Sequence, residues 1–299
     1  MTKRPYLSIC IPTFKRIDIT RNTLKSIYAD LDGVNLDDFE VVVSDNDPEE
    51  SSRVFEEEFK FDNFHYYPTR CEGFLNSYYV LGYGQGEFLK LQNNSSMFRR
   101  GSLLYLINQI KSLIHTKPVL FHTNGSLKRF DVREYDSADV FYFNMSYFSS
   151  WSAGFGIWKE DYEKFHAVKS ICKMFPQTSL LISCSNKSHY IIDDTLTREG
   201  QPVKKKGGYN PYEVFGGTFL DIFNDALNNH IISNRTFDLI KSDILKKYLA
   251  TRYLKTAILK KDSFDTSNIS KHLKKYYGNH AYAKLVFFAL TSPLQKIKL

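Results

Sequence analysis

Three consecutive amides, Gln92-Asn93-Asn94, follow the apolar run Phe88-Leu-Lys-Leu91. An amide offers a carbonyl acceptor and two N–H donors but no charge. The triplet therefore suits hydrogen bonding to a polar ligand and is a poor set for Mg²⁺ or Mn²⁺, which favour carboxylate oxygens. Other polar groups also follow apolar runs: Thr13 after Tyr6–Ile11, Asp45 and Asn46 after Phe39–Val43, and the pair Asp193-Asp194 after His189–Ile192. Such carboxylates can accept hydrogen bonds from a base or hydroxyl, or take a proton, and turn capping is the competing task for each. Cations that could face an anion are Arg70, Lys90, Arg99, Arg100 and the run Lys204-Lys-Lys206.

The elements that must hold these groups read as alternating strands and helices. Tyr6–Ile11, Phe39–Val43, Phe64–Tyr67 and Phe88–Leu91 are short strands, and the continuous apolar runs predict burial on both faces. Helices are predicted from Asp18 or Thr20 onward, over Glu49–Phe59, over Asn76–Gly84 and from Ser102, with its hydroxyl as cap. This order predicts an α/β fold with a Rossmann-like, mostly parallel sheet, which binds ligands at the carboxyl ends of its strands. No Gly-x-Gly-x-x-Gly follows the first strand and there is no Gly-Lys-Ser/Thr motif, so phosphates must be held another way. Val119–Thr123, Asp139–Phe143 and His189–Ile192 read as further strands, Glu160–Phe165 and Gln177–Cys184 as helices. Trp151–Trp158, rich in small and aromatic residues, suits a pocket floor. Beyond Asn210 the pattern is helical, which divides the chain into 1–210 and a helical region 211–299.

The charge is uneven. Residues 241–299 hold 13 basic and 3 acidic side chains, whereas the remaining 240 hold 27 and 30. A basic helical tail suits an anionic membrane surface. Nucleic acid is disfavoured, because no nucleic-acid motif accompanies the charge. Cys10, Cys71, Cys172 and Cys184 lack metal-site spacing and read as reduced thiols of a cytoplasmic protein. No signal peptide or spanning segment is expected. Aromatics at 15% suit core packing first, and sugar stacking or a homodimer interface second.

Four stretches carry a family pattern in order and at suitable spacing: Leu7-Ser-Ile-Cys-Ile-Pro-Thr-Phe-Lys-Arg16, Val42-Val-Ser-Asp-Asn46, Gly73-Phe-Leu-Asn76 and Gly86-Glu-Phe-Leu-Lys-Leu-Gln-Asn-Asn94. Together they resemble the family-2 glycosyltransferases of GT-A fold, and the Gly73–Asn76 spacing resembles the O-antigen abequosyltransferase-type branch. The likeness covers roughly residues 6–200 and is loose in its second half. It implies that Thr13 contacts a nucleoside, that Asp45 bonds the base or ribose, and that Asn46, Arg70, Asn76, Gln92, Asn93 and Asn94 complete a donor site.

Two departures matter. The family's metal-holding Asp-x-Asp is replaced by Gln92-Asn93-Asn94, so no cofactor is expected to be required and any Mg²⁺ or Mn²⁺ is expected to bind weakly. The family's acidic pair before an acceptor-site helix falls on Pro176-Gln177-Thr178, which has no carboxylate. Asp193 and Asp194 are then the base candidates, with Glu160-Asp161 as another pair. Trp151 and Trp158 are the acceptor-pocket candidates. The resemblance implies sugar transfer, with inversion, from a nucleoside-diphosphate sugar to a cell-surface glycan such as O-antigen or capsule. The acceptor would be polyprenyl-diphosphate-linked, at the inner face of the plasma membrane. The alternative is a degenerate fold that binds nucleotide or a partner without catalysis.

Overall fold

The computed structural model describes residues 4–166, 171–203 and 208–296. They form two compact units: residues 1–141 with 149–202, and residues 142–148 with 203–299. The second unit also takes in 142–148, well before the helical region that begins beyond Asn210.

In the first unit, β1 (Leu7–Thr13), β2 (Phe39–Asp45), β3 (Phe64–Pro68), β4 (Phe88–Leu91) and β8 (Gly156–Trp158) make one sheet of order β3-β2-β1-β4-β8. The first four strands run parallel and β8 runs antiparallel to β4. The architecture is therefore the α/β fold with a mostly parallel central sheet flanked by helices that the sequence predicts. Ile9, Ile11, Val41 and Val43 are fully buried, as strands covered on both faces require. Parallel register places Thr13 opposite Asp45 and Cys10 opposite Leu91, so the polar residues after these strands emerge at one edge.

A second sheet, β6-β9-β7, comprises Val119–His122, Tyr190–Asp193 and Val132–Tyr135, and β5 (Ser96–Phe98) pairs antiparallel with β10 (Arg198–Gly200). The sequence reading has neither β5 nor β7: β7 is largely exposed and lacks an apolar signature, and β5 lies in the stretch read as a loop.

Two further expectations are corrected. Asp139–Phe143, read as a strand, lies in the helix Ala138–Met145. Its apolar run does not alternate, and Phe141, Tyr142 and Met145 are all buried, at helical spacing. Ser102 does not cap its helix, because Gly101 occupies the cap position. The Asp30 carboxylate instead accepts from the N–H groups of Gly101 and Leu103 at that terminus, a tertiary cap that local sequence cannot signal.

The second unit is helical. Phe219, Phe223, Leu249, Leu273 and Leu285 form its buried interior. Its last helix, Ala281–Lys296, also turns Phe287 (61% exposed) and Leu290 (56%) to solvent. Among the described residues no helix is long and apolar enough to cross a membrane. The Lys204–Lys206 run lies outside the described residues.

Candidate functional site

A cleft of ≈ 480 Å³ opens at the carboxyl ends of β1, β2 and β4. Its wall includes Thr13, Phe14, Arg16, Asn46, Phe74, Asn76, Asn93, Asn94 and Ser152, and among the described residues lining it there is no carboxylate. A larger hollow of ≈ 600 Å³ lies by the amino ends of β6 and β9, but its charges pair with one another, Lys187 with Asp161 and Lys117 with Glu160. The cleft at the strand tips, where side chains from three strands converge, is therefore the candidate site.

Its floor is tied together by amides and hydroxyls. Asn94 Nδ2 donates to Thr13 Oγ1 at 3.2 Å, and the hydroxyls of Thr13 and Thr20 lie 3.1 Å apart. Asn76 Nδ2 donates to the Ser44 carbonyl at 3.0 Å and to that of Thr13 at 3.3 Å, while its Oδ1 accepts from Ser44 Oγ. Asn76 thus latches the tips of β1 and β2 together and presents part of itself to the cleft. Asn46 bonds the backbone of Cys71 through both ends of its amide, fixing the loop that carries Phe74. Ser152 Oγ donates to Asn93 Oδ1 at 2.9 Å across the opening.

Phe14 and Phe74 are each about half exposed where they line the cleft, and Arg16 brings a cation to it. An exposed ring at a pocket rim offers a stacking face. These three, with Ser152, are absent from the sequence-derived site. Phe14 and Arg16 directly follow β1, and that position was the available signal.

Several expectations are corrected by the geometry. Asp45 is fully buried and does not line the cleft; it accepts from the N–H groups of Asp47 (3.0 Å) and Ser52 (2.9 Å) and from the Tyr66 hydroxyl (3.3 Å). Its task is to hold the turn after β2, the capping role that Asp commonly takes. Arg70 is exposed, 4.0 Å from Glu50, and is not in the cleft wall. Trp158 is core: it is 1% exposed, packs edge-on against Phe88 and donates its indole N–H to the Pro118 carbonyl, so it cannot face an acceptor. Trp151 is half-buried beside the cleft residue Ser152.

Asp193 and Asp194 are also enclosed. Asp193 accepts from the Tyr105 hydroxyl (2.9 Å), the Gln109 amide (2.8 Å) and the Thr195 N–H (2.9 Å). Asp194 accepts from the Thr123 hydroxyl and from the N–H groups of Leu127, Arg129 and Phe130, so the loop after β6 winds around it. Burial pushes both carboxyls up. For Asp193, nearby His122 and the hydrogen bonds outweigh burial, and for Asp194 the hydrogen bonds alone do, so both end below the ordinary carboxylate range. Acceptors committed in this way build structure, and neither residue lines the cleft. Glu160 pairs with Lys117 and Asp161 with Lys187, away from it.

Behind the amide triplet lie two buried cations. Lys90 is 2% exposed, and its ammonium donates only to carbonyls: Leu91 at 3.1 Å, Phe155 at 3.3 Å, and Ala153. Arg198 is 4% exposed; Nη1 donates to Ala153 and, at 3.4 Å, to Gln92 Oε1, and the guanidinium stands 5.2 Å over the Trp151 ring. Arg198 Nε has no partner. Both cations meet at one carbonyl oxygen, so in their charged forms they repel by about 3 kcal/mol at an effective dielectric of ~20. Burial, and then Arg198, hold the Lys90 ammonium well below its usual range, while burial brings Arg198 down to about 10, still charged at neutral pH. His122 is kept neutral by burial and by Lys90.

The donor set does not fit a divalent cation. The triplet supplies neutral amides, Gln92 is turned toward a guanidinium, and the described residues contain no metal-holding group of three or more His, Cys, Asp or Glu.

No protein-family model matches the chain, and no curated protein matches it in sequence. Solved structures do match in three dimensions. The 1–349 portion of S. aureus TarS superposes with TM-score 0.60 at 14% identity, covering 98% of this chain and 91% of that one. The same portion in complex with UDP-GlcNAc gives 0.64 at 13%, covering 98% and 92%. The mannosyltransferase PcManGT from Pyrobaculum calidifontis, in complex with GDP-Man and Mn²⁺, gives 0.53 at 15%, covering 99% and 89%. These neighbours are GT-A-type glycosyltransferases, and this chain shares their fold.

Proposed function

We propose that the chain is a glycosyltransferase that takes its sugar from a nucleoside-diphosphate donor. The observation that carries this reading is the convergence of Thr13, Asn93 and Asn94 with Phe14, Phe74 and Arg16 on one cleft at the strand tips. An aromatic face can stack a base, hydroxyls and amides can bond ribose and sugar, and a guanidinium can meet a phosphate. The complexes of structural neighbours with UDP-GlcNAc and GDP-Man support a nucleotide sugar as donor class.

Transfer proceeds with inversion. The acceptor hydroxyl oxygen bonds to the anomeric carbon, the bond to the β-phosphate oxygen breaks with its electron pair leaving on the diphosphate, and a proton is released to solvent. The acceptor is a surface glycan of O-antigen or capsule type, carried on a lipid diphosphate. The helical region beyond residue 210 brings the enzyme to the cytoplasmic face of an anionic membrane; its excess of lysines and the outward Phe287 and Leu290 support this. Residues Thr13, Asn46, Asn76, Asn93 and Asn94 belong to the donor site, with Trp151 toward the acceptor.

The test is turnover of a panel of UDP-, GDP-, CDP- and dTDP-sugars, scored as transfer or slow donor hydrolysis, with EDTA and with Mn²⁺. Activity in EDTA supports the reading. A second reading, a binding module without catalysis, is favoured by the lack of a carboxylate among the described cleft residues. It predicts nucleotide binding with no turnover of any donor.

A further inference from the structure

We infer that the buried Arg198 takes the place of a divalent cation in this cleft, supplying from behind its wall the positive charge that holds and stabilises a nucleoside diphosphate. The inference rests on the donor-site reading above and concerns the source of the compensating charge.

Lys90 and Arg198 are both buried basic groups. Among the described residues neither enters an ion pair, and the contacts of Lys90 and of Arg198 are carbonyl and amide oxygens. Asp193 supplies negative charge that favours the charged guanidinium without forming an ion pair with it, and its carboxylate also accepts from Tyr105, Gln109 and Thr195. Burying charge without a paired counter-ion is costly. A fold that keeps the Arg198 guanidinium charged here, with no carboxylate in ion-pair contact among the described residues, leaves positive potential that an anion in the cleft lowers.

The location says where that anion sits. Arg198 bonds Gln92, the residue before Asn93, and Ala153, the residue after Ser152. Asn93 and Ser152 line the cleft and bond each other. The guanidinium is thus one residue behind the wall on both chain segments, at the position where the resemblance places a metal-holding carboxylate pair. In a low-dielectric wall its field reaches the cleft with little screening. The same field opposes a divalent cation. A preorganised charge of this kind stabilises a leaving diphosphate without the need to recruit an ion. Arg198 acts through the wall and not by contact, so it is a positioning residue.

The test measures binding of UDP, GDP, CDP, UMP and GMP to the full chain by calorimetry, in EDTA and in Mn²⁺, for the wild type, Arg198→Met, Arg198→Lys and Gln92→Glu. The expected result is that a diphosphate binds the wild type in EDTA at least tenfold more tightly than its monophosphate, and that Mn²⁺ changes this less than twofold. Arg198→Met erases the preference for diphosphate while monophosphate affinity holds, and Arg198→Lys restores most of it. Gln92→Glu, nearly isosteric, pairs with the guanidinium and lowers diphosphate affinity about tenfold, which keeps the test alive should Arg198→Met fail to fold. Diphosphate binding that requires Mn²⁺, or that is unchanged in Gln92→Glu, overturns the inference and leaves the donor-site reading standing. No binding of any nucleotide under either condition removes both.

Discussion

Two buried polar clusters flank the cleft, one at the tips of β1 and β2 and one between β4 and β10, and they are built on opposite terms. Around Asn76, the groups of Ser44, Thr69 and Thr13 satisfy one another with neutral hydrogen bonds. Around Ala153, the Lys90 amine and the charged Arg198 guanidinium donate to one carbonyl oxygen, and Arg198 Nε is left without a partner. A closed neutral network fixes architecture at modest cost. Uncompensated charge stabilises nothing by itself, and its presence beside a cleft points to a ligand of opposite sign. The contrast separates residues that shape the site from those that act on what enters it.

The sharpest way to break the comparison is a change on each side. Removing the charge in Arg198→Met is expected to lower sugar transfer ~10²–10³-fold, the scale of losing one preorganised electrostatic group, with a far smaller change in denaturant midpoint. Steady-state kinetics alongside urea melts checks this, and a loss of stability equal to the loss of rate would put Arg198 with the structural cluster. Asn76→Ala should act first on stability, with a smaller loss of transfer through the donor site that it also lines. Opening the latch between β1 and β2 is expected to cost about 2–3 kcal/mol of stability, read from the urea midpoint, because several buried partners lose their bonds.

Smaller effects refine the picture. Phe14→Ala is expected to weaken nucleotide binding by about 1–2 kcal/mol without altering the preference for diphosphate over monophosphate, since stacking acts on the base and not the phosphates. Asp194→Asn tests the structural role given to that carboxylate. Its folded pKa is depressed, so the stability it contributes is present above the unfolded carboxylate range and is lost as pH falls through the folded value. The variant should be about 1 kcal/mol less stable than wild type at neutral pH. That gap should close in thermal melts on acidification, with transfer at pH 7 changed only slightly. Phe287→Glu should reduce sedimentation with phosphatidylglycerol vesicles several-fold and leave binding of free nucleotide untouched. Arg70→Ala, at an exposed side chain outside the cleft wall, is expected to change nothing measurable.

Much of the fold is legible locally. Short β-branched apolar runs such as Ile9–Ile11 and Val41–Val43 read as strands buried on both sides, and their alternation with helices predicts parallel pairing and a ligand edge. Exposed β7 and the short β5 carry no such pattern, because their partners lie far along the chain. Asp139–Phe143 reads as a strand because five residues of mostly apolar sequence are too few to separate a helical period from a strand. At the site, the amide triplet and Thr13 are visible in sequence because they follow strands directly. Asp45 and the Asp193-Asp194 pair follow strands equally well, yet their oxygens are spent on N–H groups and hydroxyls supplied by neighbouring turns, which only coordinates reveal.

By itself, the sequence determined that polar groups at the tips of β1 and β4 meet at one sheet edge, since register and burial follow from local composition. It also determined that the expected carboxylates are missing from that edge, a matter of identity alone. Only the tertiary structure decided what stands in their place. Arg198 lies 106 positions from Gln92, and whether a distant arginine is solvated or buried against an amide depends on long-range packing. Electrostatic energy is set by that distance in space and by the water excluded between the groups, neither of which is written in the order of residues.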